Sequence, residues 1–343
     1  MKNKNAVIYA IAAAVFYALN VPCSKLLLDK VSPTFMAGLL YLGAGIGVGI
    51  MYLFHHKKEQ PVKRLSKPDL PYTVGMVALD TIAPILLMLG VKLGTSANAS
   101  LLGNFEIVAT TLIALLIFKE KVSGKLWTAI GFITLSSIIL SFGGRESFSF
   151  SIGSLFVLGA TSCWGLENNC TRKISEKSTY QIVTIKGLCS GTGSVIVAMI
   201  IGEKLPDYRY ILPALLLGVV AYGLSIFTYI RAQKDLGAAK TSAYYAVAPF
   251  IGVFLSFVLL HEKLTAAYIA ALLVMIVGTV FAAADTLAQH HTHEHTHTFT
   301  HTHDGTTHTH SVSHSHGHDH YISVDSHGHH HSIAELEKLL NTH

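Results

Sequence analysis

Leu101 to Lys121 reads LLGNFEIVATTLIALLIFKEK. A helix of roughly 20 predominantly apolar residues crosses the hydrocarbon of a bilayer, and this run has that length and character. It carries one carboxylate, Glu106, and closes on Lys119, Glu120 and Lys121. An ionised side chain is costly in hydrocarbon, so Glu106 is paired, neutral, or faces a wet cavity. A second copy lies downstream. Leu93-Gly94 heads the segment that ends in Phe118-Lys119-Glu120-Lys121, and Leu236-Gly237 heads one that ends in Leu260-His261-Glu262-Lys263.

Composition extends that reading to the whole chain. Of 343 residues, 51% are hydrophobic and 13% charged, with a mean hydropathy of +0.47. That is too apolar for an ordinary soluble domain of this size. Ten spans of suitable length read off approximately at 5–24, 32–54, 70–91, 95–118, 126–144, 152–171, 179–202, 210–230, 240–260 and 265–285. Their apolar blocks are continuous, not alternating, so helices satisfy the backbone in lipid and a barrel is not expected. The first span lacks a small-residue cleavage site and continues to Asn20, Pro22 and Lys25, which makes it a helix and not a leader peptide.

Charge sets the expected orientation. With the N-terminus inside, sixteen lysines and arginines fall at inner ends and loops against seven at outer ones, leaving Lys186 within a span and Lys338 in the tail. Both termini are therefore expected in the cytoplasm. The net charge of +5 is mainly this topology signal, and no basic patch interleaved with aromatics points to nucleic acid. Cys23, Cys163, Cys170 and Cys189 sit in or beside apolar spans and read as buried free thiols.

The duplication runs along the chain. Residues 18–25, Ala-Leu-Asn-Val-Pro-Cys-Ser-Lys, align with 165–172, Gly-Leu-Glu-Asn-Asn-Cys-Thr-Arg, matching Leu, Cys, a small hydroxyl residue and a cation. Corresponding spans are five helices apart, an odd number, so the halves would have opposite orientations. Such inverted repeats place the substrate site near the midplane and alternate access by rocking. The expected fold is all-α integral membrane, ten transmembrane helices as two inverted five-helix repeats, with a disordered His-rich cytoplasmic tail. The repeats cover 1–146 and 147–289, the tail 290–331, and a short amphipathic helix 332–343.

The five-plus-five layout, the Leu-Gly and Lys-Glu-Lys or His-Glu-Lys pattern of each half and the Ala248-Pro249-Phe250 step resemble the EamA-type transporters of the drug/metabolite transporter superfamily. Ser100 to Glu106, Trp164 to Asn169, Lys186-Gly187 and the histidine-rich C-terminus resemble one branch of it. The resemblance implies a plasma-membrane carrier of small organic solutes and names no solute.

Asp80, Glu106, Glu167 and Lys186 are the ionisable groups deepest in the spans. Glu106 and Glu167 are each flanked by amides, Asn104 beside the first and Asn168 and Asn169 beside the second. Either acid is the expected partner of Lys186, and burial favours the neutral form of an acid left unpaired, which suits a proton carrier. The same groups also fit a static network that locks the bundle. Asp80 precedes Pro84 by four residues, at a kink or a hinge. Asn20, Pro22, Trp164, Tyr244, Tyr245 and Pro249 occupy spans that an inverted repeat brings to the centre, where aromatics and a few polar groups make a small-molecule pocket. The alternative for each is interfacial anchoring or kinking. Gly43, Gly45, Gly47 and Gly49, and Gly187, Gly191 and Gly193, have spacings suited to close helix contact. Lys119, Glu120, Lys121, His261, Glu262 and Lys263 read as gate or interface charges, or as solvated helix ends.

Eighteen of the 21 histidines lie at or beyond position 290. Too few apolar residues accompany them for a packed core, so disorder is expected. His293, His295, His297, His301, His303, His314, His316, His318 and His320 are candidate ligands for zinc or nickel, or a pH-responsive cluster. Ser332 to Glu335 has the form of a capping box opening a terminal helix. The leading function is a secondary carrier, most simply an exporter, with the lipid bilayer, a small organic solute and protons as partners and no required cofactor. The alternative is a zinc or nickel transporter, or a permease regulated by metal at the tail. No His/Asp pair at helical spacing in the spans builds a dehydrating metal site, and no nucleophile-base pair or phosphate loop suggests an enzyme.

Overall fold

The structure is a computed structural model that describes residues 2–55, 64–117, 122–141, 151–174, 177–236, 241, 244–262, 265–287, 289–303 and 306–320. The chain divides into two units, 1–285 and 286–343.

The first unit is helical. The elements are α1 (Lys2–Ala18), α2 (Asn20–Leu27), α3 (Pro33–His55), α4 (Leu70–Leu93), α5 (Ser96–Leu102), α6 (Phe105–Leu116), α7 (Gly124–Ser141), α8 (Ile152–Lys173), α9 (Thr179–Ile185), α10 (Gly191–Ile200), α11 (Tyr208–Gly218), α12 (Ser225–Leu236), α13 (Ala248–Leu260) and α14 (Ala266–Leu287). Among the described residues six helical stretches are long and apolar enough to cross a membrane: Asn5–Leu27, Pro33–Phe54, Lys67–Leu93, Thr179–Ile200, Tyr208–Tyr229 and Ala266–Asp285. Gly124–Leu140 and Ala248–Leu260 are shorter apolar helices. The sixth expected span is α8, whose polar residues from Thr161 to Lys173 lower its hydropathy. The fourth is split between α5 and α6 at Gly103-Asn104.

Local chemistry explains the other breaks. Pro22 has no N–H to give the carbonyl of Ala18, where α1 ends; in α2 it falls in the first turn, where that donor is not needed. Pro84 sits inside α4 and leaves the Asp80 carbonyl without its usual intrahelical donor. Two π-helical turns interrupt the second half, Lys186–Ser190 between α9 and α10 and Val219–Leu224 between α11 and α12. Such turns widen the helix and re-aim side chains.

Packing runs through small residues, as in membrane bundles generally. A Cβ on Gly43 of α3 would stand 2.1 Å from the Leu215 carbonyl oxygen, and one on Gly218 2.1 Å from that of Leu40. Gly45 and Gly187 meet backbone to backbone, a Cβ on either falling within 2.5 Å of the other strand of chain. Helix α3 thus lies against the stretch from α9 to α11, α4 packs on α8, α1 on α12, α6 on α8, and α1 and α5 on α13. Met36, Leu40, Met88, Leu101, Leu102 and Ile133 fill the interior, whereas Ile8, Ile50, Leu135, Phe254, Leu273 and Val280 are exposed. An apolar exterior of that extent fits lipid, not water.

Three charged side chains tie helix ends together. Glu203 accepts from the backbone N–H groups of Thr34 (3.3 Å) and Phe35 (3.1 Å) at the start of α3. Glu262 accepts from those of Ser96 (2.7 Å) and Ala97 (2.8 Å) at the start of α5. Lys25 Nζ donates to the carbonyls of Val91, Lys92 and Gly94 (2.6, 3.2 and 2.7 Å) at the end of α4. Each satisfies backbone groups that a helix end leaves orphaned.

Strands β1 (Gln289–His303) and β2 (Thr306–His320) pair antiparallel. Thr292, Thr296, Thr298, Thr300 and Thr302 supply β-branched residues to β1, and Thr306, Thr307, Thr309 and Val312 to β2. The terminal helix expected over 332–343 lies outside the described residues.

Candidate functional site

A cavity of about 150 Å3 opens in the helical unit. Its walls come from α1 (Tyr17), α3 (Tyr41, Ala44), α6 (Glu106), α8 (Trp164, Glu167, Asn168), α9 with the π turn that follows (Val183, Lys186, Gly187), and the second π turn with α12 (Tyr222, Ile226), together with Tyr245.

The charged floor is a triad. Lys186 Nζ lies 3.0 Å from Asp80 Oδ2 and 3.1 Å from Glu167 Oε1. Asp80 is fully buried and Glu167 nearly so. Tyr41 donates its hydroxyl to Asp80 Oδ1 at 3.0 Å and accepts the Trp164 indole N–H at 3.3 Å. Thr171, one turn along α8, donates its hydroxyl to Glu167. Two carboxylates and one ammonium are thereby held by helices α4 and α8 and by the π turn, and each charge has the partners that burial demands. The expected pairing of Lys186 with Glu167 is present; a pairing with Glu106 is not, and Asp80, which α4 brings in from across the cavity wall, takes the second place.

Glu106 is held differently. Asn168 Nδ2 donates to its Oε1 at 2.6 Å and reaches Thr110 Oγ1 at 3.4 Å. Among the described residues no cation pairs with it. Asn169 is turned away, donating to the carbonyls of Gly165 (2.8 Å) and Thr110 (3.2 Å).

The rest of the wall is aromatic. Tyr17 meets Tyr222 edge-on at 5.9 Å and Tyr245 at 5.9 Å, and Tyr222 meets Tyr41 at 5.1 Å. Asn20 Nδ2 donates to the Tyr222 hydroxyl at 2.8 Å and Ser24 donates to Asn20 Oδ1 at 3.2 Å, so Asn20 supports the wall from behind.

The structure thus brings Glu106, Trp164, Glu167, Asn168, Lys186 and Tyr245 to one cavity, with Asp80 and Asn20 bonded to its lining. Pro22 is buried in α2, Asn104 is buried at the α5–α6 break, Pro249 opens α13 and Tyr244 is 39% exposed; none of the four lines the cavity. Tyr17, Tyr41 and Tyr222 were not singled out by sequence. Their signal was weak, since tyrosine in an apolar helix also suits the interface, though a buried hydroxyl requires a partner. Of the expected gate charges, Glu262 caps α5 and His261 ends α13 in a left-handed conformation (φ 51°). Lys119, Glu120, Lys121 and Lys263 lie outside the described residues, as do the side chains of the tail histidines. Among the described residues no cluster of His, Cys, Asp and Glu is arranged to hold a metal. All four cysteines are free.

Relatives agree with a transport fold. An "Uncharacterized transporter" of Methanothermobacter thermautotrophicus is 26% identical over 270 residues, spanning 74% of this chain and 78% of that protein. "Uncharacterized transporter YyaM" of Bacillus subtilis is 22% identical over 270 residues, 75% and 87% of the two chains. A protein of known crystal structure superposes with a TM-score of 0.59 at 17% identity, covering 81% of this chain and 95% of the other, a likeness of fold alone. The profile of the EamA-like transporter family matches twice, over residues 4–142 and 151–284, and with that the chain belongs to the EamA-like transporter family, a family of multi-pass membrane transporters.

Proposed function

We propose that this chain is a secondary active carrier that exports a small organic metabolite across the plasma membrane by alternating access, with both termini in the cytoplasm. The observation that carries the reading is the cavity, aromatic with a few charged groups and lined by residues from both family matches: Tyr17, Tyr41 and Glu106 from the first, Trp164, Glu167, Lys186, Tyr222 and Tyr245 from the second. A site between two duplicated halves is where an alternating-access carrier holds its solute.

Ten transmembrane helices in two inverted repeats are part of the proposal. Two matches of one family profile in tandem support it, as do mirrored contacts: α1 on α12 has its counterpart in α8 on α4, and α1 on α13 in α8 on α6. Proton coupling is assigned to Glu106, the carboxylate that Lys186 does not neutralise.

Flux is measured in proteoliposomes holding full-length protein and a mixed pool of metabolites, with zinc and nickel as competing cargo. An organic solute is expected to move, and Glu106→Gln to insert normally yet lose proton-driven flux. Movement of metal alone would replace the carrier reading by metal transport; unchanged proton-driven flux in the variant removes Glu106 from coupling.

A further inference from the structure

Lys186 is already compensated in charge. Its ammonium lies 3.0 and 3.1 Å from two carboxylates, two negative charges against one positive, and no arginine or histidine lines the cavity. Two carboxylates, Asp80 and Glu167, pair with this one ammonium and a third, Glu106, lines the same cavity, so the site is short of positive charge. Glu106 is the acid left over, held by an amide that fixes its position without neutralising it. A half-buried carboxylate in a cavity wall, with no cation paired to it among the described residues, calls for a proton or a cation.

Tyr17, Tyr41, Trp164, Tyr222 and Tyr245 line the same cavity. Aromatic faces attract ammonium groups through their quadrupole, and clusters of them recognise alkylated amines. Hard metal ions ask instead for six or more oxygen ligands, and softer ones for imidazole or thiolate; the lining supplies one uncommitted carboxylate and no His or Cys. Pockets for drug-sized molecules run to ~300–1,000 Å3, so 150 Å3 selects something more compact.

Resting on the carrier reading above, we propose that the solute is a compact organic cation, its ammonium against Glu106 and its carbon body among Tyr17, Trp164, Tyr222 and Tyr245. Zwitterions and anions are disfavoured, because the one ammonium in the cavity wall, Lys186, is already outweighed by the charges of Asp80 and Glu167.

Purified full-length protein in lipid nanodiscs is titrated with radiolabelled phenethylamine. Phenylalanine and phenylpropionate, of similar bulk but zwitterionic and anionic, serve as competitors. Saturable amine binding is expected, displaced by unlabelled amine and by neither competitor. Glu106→Gln is expected to weaken it at least tenfold, and Tyr17→Leu and Tyr245→Leu, which keep the carboxylate, several-fold each. The tyrosine variants stand as an independent arm should the glutamine variant misfold. Absence of amine binding, equal competition by phenylalanine or phenylpropionate, or undiminished binding in folded Glu106→Gln overturns the assignment. Binding is read without flux, so the two readings fail separately: an amine that binds while no solute moves removes the carrier and keeps the cation site, and a neutral or anionic solute carried by protein that binds no amine does the reverse.

Discussion

Lys186 stands between Asp80 and Glu167, and its removal differs in kind from the removal of either acid. Taking away the ammonium leaves two buried carboxylates facing each other, and breaking a buried pair in this way costs about 3–5 kcal/mol. Asp80→Asn leaves Lys186 still paired with Glu167 at 3.1 Å. Lys186→Met should therefore lower the thermal unfolding midpoint in detergent well beyond Asp80→Asn; equal losses would mean that the triad does not work as a charge-balanced unit. The four ionisable residues were conspicuous in sequence because hydrocarbon rarely holds a charge without purpose. Their pairing was not, since α4, α8 and a π turn each supply one member.

At the level of elements, close backbone contact and irregular turns do the positioning. The two π turns carry Lys186 and Gly187 in one case and Tyr222 in the other, all of them in the cavity wall. Sequence gives little warning of a π turn, because one extra residue per turn does not disturb apolar composition. Glycine spacing did point to contact, and the contacts rank the glycines. A Cβ at Gly218 would meet the Leu40 carbonyl at 2.1 Å, whereas one at Gly49 would meet only the Thr184 methyl at 3.4 Å. Gly218→Leu is expected to cost more than ~3 kcal/mol, since backbone cannot yield as a side chain does, and to abolish the monodisperse peak in size-exclusion chromatography. Gly49→Ala should elute as the parent does, and a parental profile for both would show that α3 does not need this approach to α11.

For the whole molecule, the helical unit holds the cavity and every residue assigned to it, and the tail forms a unit of its own. Deleting residues 290–343 is accordingly expected to leave solute flux per inserted protein unchanged in proteoliposomes. A shortened chain that inserts yet carries nothing would place an essential part of transport in the tail.

By itself the sequence determined the medium. Long apolar blocks with few charges can only be satisfied as helices in lipid, and the family profile matches twice along them, at 4–142 and 151–284. The sequence also named Glu106, Glu167 and Lys186, because a charge in an apolar run stands out by its solvation cost. Only the tertiary structure decided that Asp80 and not Glu106 completes the triad, that Glu106 is left with an amide, and that three unremarked tyrosines line the same cavity. Those facts depend on which helix faces come together, and in a bundle apolar on nearly every side no periodicity in the sequence says which face that will be.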